Sequence, residues 1–400
     1  MSDTKPSNAK VTSSTHAKRP NLTMEHVATP PAKRRRQRPA KAKKPIEPTV
    51  VVKVTDELGT LVNELSEKYL SSASWEQFVK DVRGPTLLRP DLDRLPHPAG
   101  LYLNDLSTKG SPAKSCGEPW TLEKKRLLLR RGAHKTANDH KDFIRREMVT
   151  NIHSKYWIVL PYQLIEHLQE LRLSPLGIKE ERDRRPRLVV DHTFYGVNQD
   201  TVALSPEEAM QYGATLHRIL YRARHANRRH GPAYIAKYDV TDGFYNIHLE
   251  PRDALMLATI LPSYDGEPPL IAIPLALTMG WTESPPTFCT ITETICDLAN
   301  WNVHKPYVPP HRLEPLAREK DTRTQGPEPI QEPSRTRPSG DSPPVPTSLP
   351  APPLTNTDSP IEEALAYTDI FVDDFIQILQ GSPRKRHMAR RLLFHLVDLV

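Results

Sequence analysis

Two adjacent aspartates, Asp373 and Asp374, lie between two short apolar segments of this 400-residue chain. A third aspartate, Asp239, lies near the end of the apolar run 234–240. Neighbouring carboxylates repel each other and are costly to hold beside a core unless a cation neutralises them. Mg²⁺ suits such a site because it binds carboxylate oxygens and substrate phosphates together. Acids from separate strands that hold two such ions can carry out in-line nucleotidyl transfer.

The pattern around these acids predicts the elements that position them. Segments 367–372 and 375–379 are apolar enough to be buried strands, and they predict a hairpin with the two adjacent acids at its turn. A serine followed by proline predicts helix starts at Ser284 and Ser382. An Asp-Asp pair by itself more often marks an ordinary turn, because aspartate is a common turn residue. The other motifs along the chain are therefore needed to distinguish an ordinary turn from a metal-binding site.

The rest of the chain mixes helices and strands without a regular β–α alternation, which is typical of an α+β fold. Helices are predicted near 55–80, 137–152, 162–171 and 205–225, and further strands near 156–160, 187–191, 254–261 and 270–277.

Three segments resemble, in order along the chain, motifs A, B and C of reverse transcriptases: 236–245, 279–288 and 371–374. Segments 184–191 and 196–198 are similar to the fingers region that precedes motif A in retroelement polymerases. Each motif is short, but the ordered set is specific. The resemblance implies polymerase right-hand fingers and a palm with an antiparallel sheet backed by helices.

The resemblance also implies a role for each acid. Asp239 and Asp373 would ligate both metal ions, Mg²⁺ or Mn²⁺, and Asp374 would support the site. The predicted nucleotide-binding residues are Asp242, Gly243, Phe244, Met279, Gly280, Arg185 and Arg187.

Several of these nucleotide-binding residues have individual roles in the family pattern. The backbone of Asp242 and Gly243 would lie against the triphosphate, and Phe244 would exclude a 2′ hydroxyl, although a plain core phenylalanine would look the same in sequence. Met279 and Gly280 would lie beside the nascent base pair, with ordinary packing as the alternative for Met279.

The triphosphate contact departs from the family pattern. His192 and Thr193 follow Val190-Asp191, where the family has a nearby arginine, so Arg185 or Arg187 would supply that contact. Lys237 is either a charge partner of the acids or a solvated lysine.

These segments divide the chain into six regions. They are a disordered basic tail (1–50), a partly helical extension (51–124), a fingers-like region (125–232), a palm region with motifs A and B (233–318), a disordered Pro-rich insertion (319–360) and a palm region with motif C and the following helix (361–400). Gly280 and Asp373 are 93 positions apart, and the insertion accounts for this unusual spacing. The chain is expected to stop before a thumb.

Charge is concentrated at the N-terminus. Residues 1–50 hold 12 Lys/Arg against 3 Asp/Glu, a balance of +9, so the other 350 residues sum to −2 within the total of +7. The block Lys33–Lys44 could contact nucleic acid or direct nuclear import, or it could be a solvated tail. No apolar run is long enough to span a membrane.

The sequence therefore predicts an RNA-directed DNA polymerase domain of a retroelement, which adds dNTPs to the 3′ end of an RNA/DNA primer–template. One alternative is an inactive or domesticated fragment that only binds nucleic acid. Another is an interaction protein that uses P-x-x-P stretches near 327–353.

Overall fold

The computed structural model describes residues 56–84, 92–182, 184–206, 209–305, 307–314 and 363–400. The chain divides into two units, Met1–Val50 and Val51–Val400, and the first lies wholly outside the described residues. The Pro-rich segment 319–360 also lies outside them. The predicted disorder of the tail and of the insertion therefore stays a prediction.

Ten α-helices lie in the described part of the chain. They are α1 (Glu57–Ser71), α2 (Trp75–Arg83), α3 (Gly100–Lys109), α4 (Leu122–Arg131), α5 (Lys135–Asp139), α6 (Lys141–His153), α7 (Tyr162–Ile165), α8 (Thr215–Arg224), α9 (Ser284–Asn302) and α10 (Pro383–Leu399). Within the described residues, none of the helices combines the length and the apolar character needed to cross a membrane.

Eight strands form two sheets. They are β1 (Trp157–Pro161), β2 (Ser174–Glu181), β3 (Arg184–Val190), β4 (Tyr234–Asp239), β5 (Thr259–Ile260), β6 (Leu270–Pro274), β7 (Ala366–Phe371) and β8 (Asp374–Leu379). The larger sheet has the order β1-β6-β5-β2-β3, with β2 and β5 parallel and the other neighbours antiparallel. The smaller sheet, β4-β8-β7, is antiparallel throughout. The predicted α+β class is confirmed.

Helices pack against both faces of the smaller sheet, because each face carries apolar side chains. Ile370 and Phe375 are paired across β7 and β8 and pack with apolar side chains of α9 and α10. On the opposite face, Ile378 packs against Ile219 of α8. Side chains alternate between the faces of a strand, so Asp374 lies on the face of Ile378 and not on the face of Phe375.

The larger sheet lies in a separate and more deeply buried core. Every residue of β1 and β6 is buried, as expected for strands covered on both faces. Helices α1, α2 and α6 contribute Val62, Phe78 and Met148 to this core, each fully buried.

Several predicted elements differ from the structure. The helix predicted near 55–80 is divided into α1 and α2, and the one predicted near 137–152 is divided into α5 and α6. The predicted strand 254–261 is a 3₁₀ turn, Asp253–Leu257, followed by the two-residue strand β5. The predicted helix 162–171 is only the four-residue α7. The helix predicted from Ser205 begins at Thr215, because the Ser205 N–H donates to Glu283 and its hydroxyl contacts Thr287. In that case a tertiary contact overrides a local helix-start signal.

Candidate active site

Asp239, Asp373 and Asp374 come together at one end of the smaller sheet. One carboxylate oxygen from each lies within 4.8 Å of the others, which is a spacing at which one metal ion could contact all three. Asp239 and Asp373 are exposed, and Asp374 is half-buried. The predicted acids are therefore close together in space, although Asp239 and Asp373 are far apart in sequence.

Strand pairing positions all three acids. Asp239 ends β4 and lies directly opposite Asp374, the first residue of β8. Asp373 belongs to the two-residue turn between β7 and β8, and its carbonyl accepts a hydrogen bond of 2.9 Å from the Val240 N–H. This bond fixes the turn against the end of β4, so the three carboxylates share one edge.

The turn itself is strained at Val372. Its φ is +59°, in the left-handed region that β-branched residues rarely adopt. Such strain persists only where surrounding contacts enforce it, and it is common at functional sites. Here the paired strands on both sides of the turn enforce the conformation, since Phe371 pairs with Asp374.

Lys237 neutralises part of the charge. Its Nζ lies 2.7 Å from Asp374 Oδ2, and this contact with the Asp374 carboxylate raises the pKa of Lys237. The other oxygen, Oδ1 of Asp374, is buried without a hydrogen-bond partner among the described residues. The sequence allowed Lys237 to be either a charge partner of the acids or a solvated lysine, and the structure supports the charge partner.

The donor set fits a hard divalent cation. All three donors are carboxylates, which Mg²⁺ and Mn²⁺ prefer, and a buried oxygen without a partner is costly unless something binds it. Asp239 and Asp373 have exposed carboxylates, and Oδ1 of Asp374 is the buried oxygen that lacks a hydrogen-bond partner among the described residues. The residues present are therefore chemically able to hold such an ion.

The segment after Asp239 turns sharply under the acids. Asp242 has a φ of +54° and precedes the 3₁₀ turn Gly243–Asn246. A Cβ at Gly243 would lie 2.7 Å from Cζ of Phe288, so glycine is required for this close approach. Phe244 is half-buried, and its ring meets the Phe288 ring edge-on with centroids 5.2 Å apart.

The loop before α9 packs against the end of β3. Gly280 has a φ of +95°, and a Cβ there would lie 2.5 Å from the Val190 carbonyl oxygen. Met279 is 58% exposed and available for contacts. Asn198 holds the loop in place, since its side-chain amide donates to the Gly280 carbonyl at 2.9 Å and its side-chain oxygen accepts from the Thr282 N–H at 3.1 Å.

The sequence did not predict that Asn198 would hold the loop before α9, although 196–198 was identified as part of a motif. No local pattern predicts a bond across 82 positions. His192 was noted only as a departure from the family. It is fully buried between Ser174 and Thr278, with ring nitrogens 3.0 and 3.2 Å from their hydroxyl oxygens. Burial lowers the pKa of His192 to about 3.

Arg185 and Arg187 lie on β3 of the larger sheet, whereas the three acids lie at the end of the smaller sheet. Arg185 contacts Glu147, and Nε of Arg187 lies 3.5 Å from Oε1 of Glu181. In the described part of the chain, neither arginine forms a salt bridge with the three aspartates. Both side chains are more than half exposed, so they remain available to an incoming ligand.

No protein-family model matches the sequence. A search of curated proteins also finds no match.

Proposed function

We propose that this chain is an RNA-directed DNA polymerase domain of a retroelement, with fingers and palm of the right-hand type. The observation that carries the proposal is the convergence of Asp239, Asp373 and Asp374 within 4.8 Å at the end of one antiparallel sheet. Holding three carboxylates so close together costs free energy unless a cation is present. An ordinary turn does not require three acids in that arrangement.

Asp239 and Asp373 would hold Mg²⁺ or Mn²⁺, with Asp374 beside them. When bound, the metal supplies activation of the primer 3′ hydroxyl and charge stabilisation of the leaving pyrophosphate. The chain itself contributes orientation. The bond from Val240 to Asp373 and the direct pairing of Asp239 with Asp374 hold the ligands before substrate arrives. Such preorganisation lowers the barrier because less reordering is needed during the reaction.

The proposed substrates are dNTPs and an RNA/DNA primer–template. The Asp242–Gly243 backbone would lie against the triphosphate, and Phe244 would exclude a 2′ hydroxyl. The packing of Phe244 against Phe288 limits how far its ring can move, which favours a rigid steric gate over an adaptable one. Gly280 and Met279 would lie beside the nascent base pair. Arg185 or Arg187 would exchange its glutamate partner for the triphosphate.

Primer extension by the purified chain tests this proposal. The substrate is oligo(dT) annealed to poly(rA), with dTTP and either Mg²⁺ or Mn²⁺. We expect incorporation by the unmodified chain and none by Asp373→Asn. Asp265→Asn is the matched control, since Asp265 is an exposed aspartate outside the cluster. Equal incorporation by the chain and Asp373→Asn, or none by either, would contradict the proposal.

One observation favours the alternative of a non-catalytic fragment that only binds nucleic acid. Lys237 already places a cation on Asp374, so part of the acid repulsion is relieved without metal. Binding of primer–template without incorporation, with no effect of Mn²⁺ on binding or stability, would support this alternative.

A further inference from the structure

An exposed aromatic and cationic stack lies on the loop after β3. Phe194 is 48% exposed, a high value for a phenylalanine. The guanidinium carbon of Arg131, at the end of α4, lies 4.2 Å from the centroid of the Phe194 ring. The edge-on contacts of this ring are with His134 and Tyr195, at centroid distances of 5.2 and 4.8 Å. These contacts orient the ring and still leave about half of it in solvent.

The loop that carries Phe194 is bonded to the proposed active site. The Asn198 side chain donates to both the Thr193 hydroxyl and the Gly280 carbonyl, each at 2.9 Å. Gly280 lies in the loop that leads into α9, and α9 carries Phe288 against Gly243 and Phe244. A continuous chain of contacts thus joins Phe194 to the segment that follows Asp239.

The surroundings of the ring are basic. Arg130 and Arg131 form the last turn of α4, and Lys135 begins α5. On the β2–β3 hairpin, Lys179 and Arg187 are paired in register and are both more than half exposed. Both face the Glu181 carboxylate, and Asp191 lies 3.2 Å from His134, so the cations outnumber the nearby acids without being the only charges there. Positive side chains around an exposed ring are the combination that binds single-stranded nucleic acid, because phosphates meet the cations and bases stack on the ring.

We propose that the Phe194–Arg131 stack is a platform for an unpaired base of the template strand, ahead of the base that is being copied. The inference rests on the proposed function, since it needs a primer–template at the acid cluster. Aromatic rings and arginine planes both accept a stacked base, and neither reads its identity, as copying of any template requires.

The test is equilibrium binding of the full chain, without nucleotide, to a primer–template with a 5′ single-stranded template overhang. 2-Aminopurine replaces the second unpaired template base, and stacking on the ring quenches its fluorescence. We expect quenching with the unmodified chain and with Phe194→Trp. Phe194→Leu keeps an apolar side chain but has no aromatic face, so quenching is lost and affinity for the overhang falls by about 5- to 150-fold. Arg131→Ala is expected to weaken overhang binding as well.

Two controls separate stacking from folding and from general binding. Affinity for a blunt duplex should be the same for the unmodified chain and Phe194→Leu. Tyr307→Ala removes an aromatic side chain that is 62% exposed on a different segment and should leave quenching intact.

Suppose that the unmodified chain still extends primers. Undiminished quenching in Phe194→Leu, or an equal loss of blunt-duplex and overhang binding, would then contradict the base platform and leave the proposed function standing. Absence of any primer–template binding by the unmodified chain would overturn both proposals.

Discussion

Lys237 and Asp374 form a diagonal ion pair across β4 and β8, with Nζ 2.7 Å from Oδ2. Lys237 is in register with Ile376, whereas Asp374 lies directly opposite Asp239. Like charges directly opposite each other destabilise a sheet, and a cation two positions away on the same face offsets that repulsion. The protein thus carries its own countercharge at the edge where a metal would bind.

Replacement of this lysine should strengthen metal binding. In Lys237→Met the ammonium no longer competes for Asp374, so we expect affinity for Mn²⁺ to rise by up to about fivefold. Isothermal titration or electron paramagnetic resonance with Mn²⁺ measures this without any activity. Lys179→Met is the control, since Lys179 is an exposed lysine that faces Glu181 at 4.0 Å. Unchanged or weaker affinity in Lys237→Met would contradict the competition.

Gly280→Ala should destabilise the fold more than another glycine replacement at positive φ. The new Cβ would meet the Val190 carbonyl oxygen at 2.5 Å, at a φ of +95°. We expect a loss of about 2–4 kcal/mol in the free energy of unfolding. Gly231→Ala is the control, because Gly231 has a φ of +83° and open space around it, and it should cost only about 1–2 kcal/mol. Urea denaturation compares the two, and equal losses would show that the carbonyl moves aside easily.

Phe244→Val should relax discrimination against ribonucleotides. A smaller side chain opens space for a 2′ hydroxyl, so the ratio of kcat/KM for dTTP over UTP should fall on the order of tenfold or more. Phe244→Tyr retains the ring and serves as the control. If the ratio is the same in all three proteins, Phe244 is a packing residue against Phe288 and not a gate.

Arg218→Met should make the chain unfold at lower denaturant concentrations. Asp369 is buried, and Arg218 contacts both of its carboxylate oxygens, at 2.7 and 2.5 Å. An unpaired buried charge costs about 3–5 kcal/mol. In the background of Arg218→Met, Asp369→Asn should recover part of this loss, because it removes the uncompensated charge. Failure of the second change to recover stability would show that packing by Arg218 matters more than its charge.

His192 should make the fold sensitive to acid. Burial lowers its pKa from 6.5 to about 3, so the unfolded chain binds a proton in a range where the folded chain does not. Its contribution to stability is complete above pH 6.5 and falls as the pH decreases toward 3, by up to about 1.4 kcal/mol per pH unit. The difference in unfolding free energy between the unmodified chain and His192→Gln, measured at pH 7 and pH 5, gives this slope. No change in that difference would contradict it.

Local patterns predicted the β7–β8 hairpin well. The apolar runs on both sides of Asp373–Asp374 identified the two strands, and the predicted cap of the last helix is confirmed, since the Ser382 hydroxyl accepts from the Lys385 N–H at 3.3 Å. The start of α9 at Ser284 is also confirmed. The serine hydroxyl there donates to the Thr278 carbonyl and caps nothing, because the loop before the helix folds back onto it.

Long-range contacts explain what could not be predicted. The pairing of Arg218 with Asp369 and the bridge from Asn198 to Gly280 join residues 151 and 82 positions apart, and such contacts leave no periodic signal. The resemblance predicted that Asp239 would meet the paired acids, but it could not assign Lys237 to Asp374. Likewise, Arg185 and Arg187 were expected near the triphosphate, and the structure shows their pairing with Glu147 and Glu181.

Both ends of the interval between α9 and β7 are held by ion pairs. Before the interval, Glu314 contacts His387 and Arg391 of α10, each at 2.5 Å, and after it Glu363 lies 3.2 Å from His304. These pairs fix residues on both sides of the 48 intervening positions, 315–362, to the rest of the described chain. We therefore expect a change in the length of that stretch to leave the edge that carries Asp239, Asp373 and Asp374 in place.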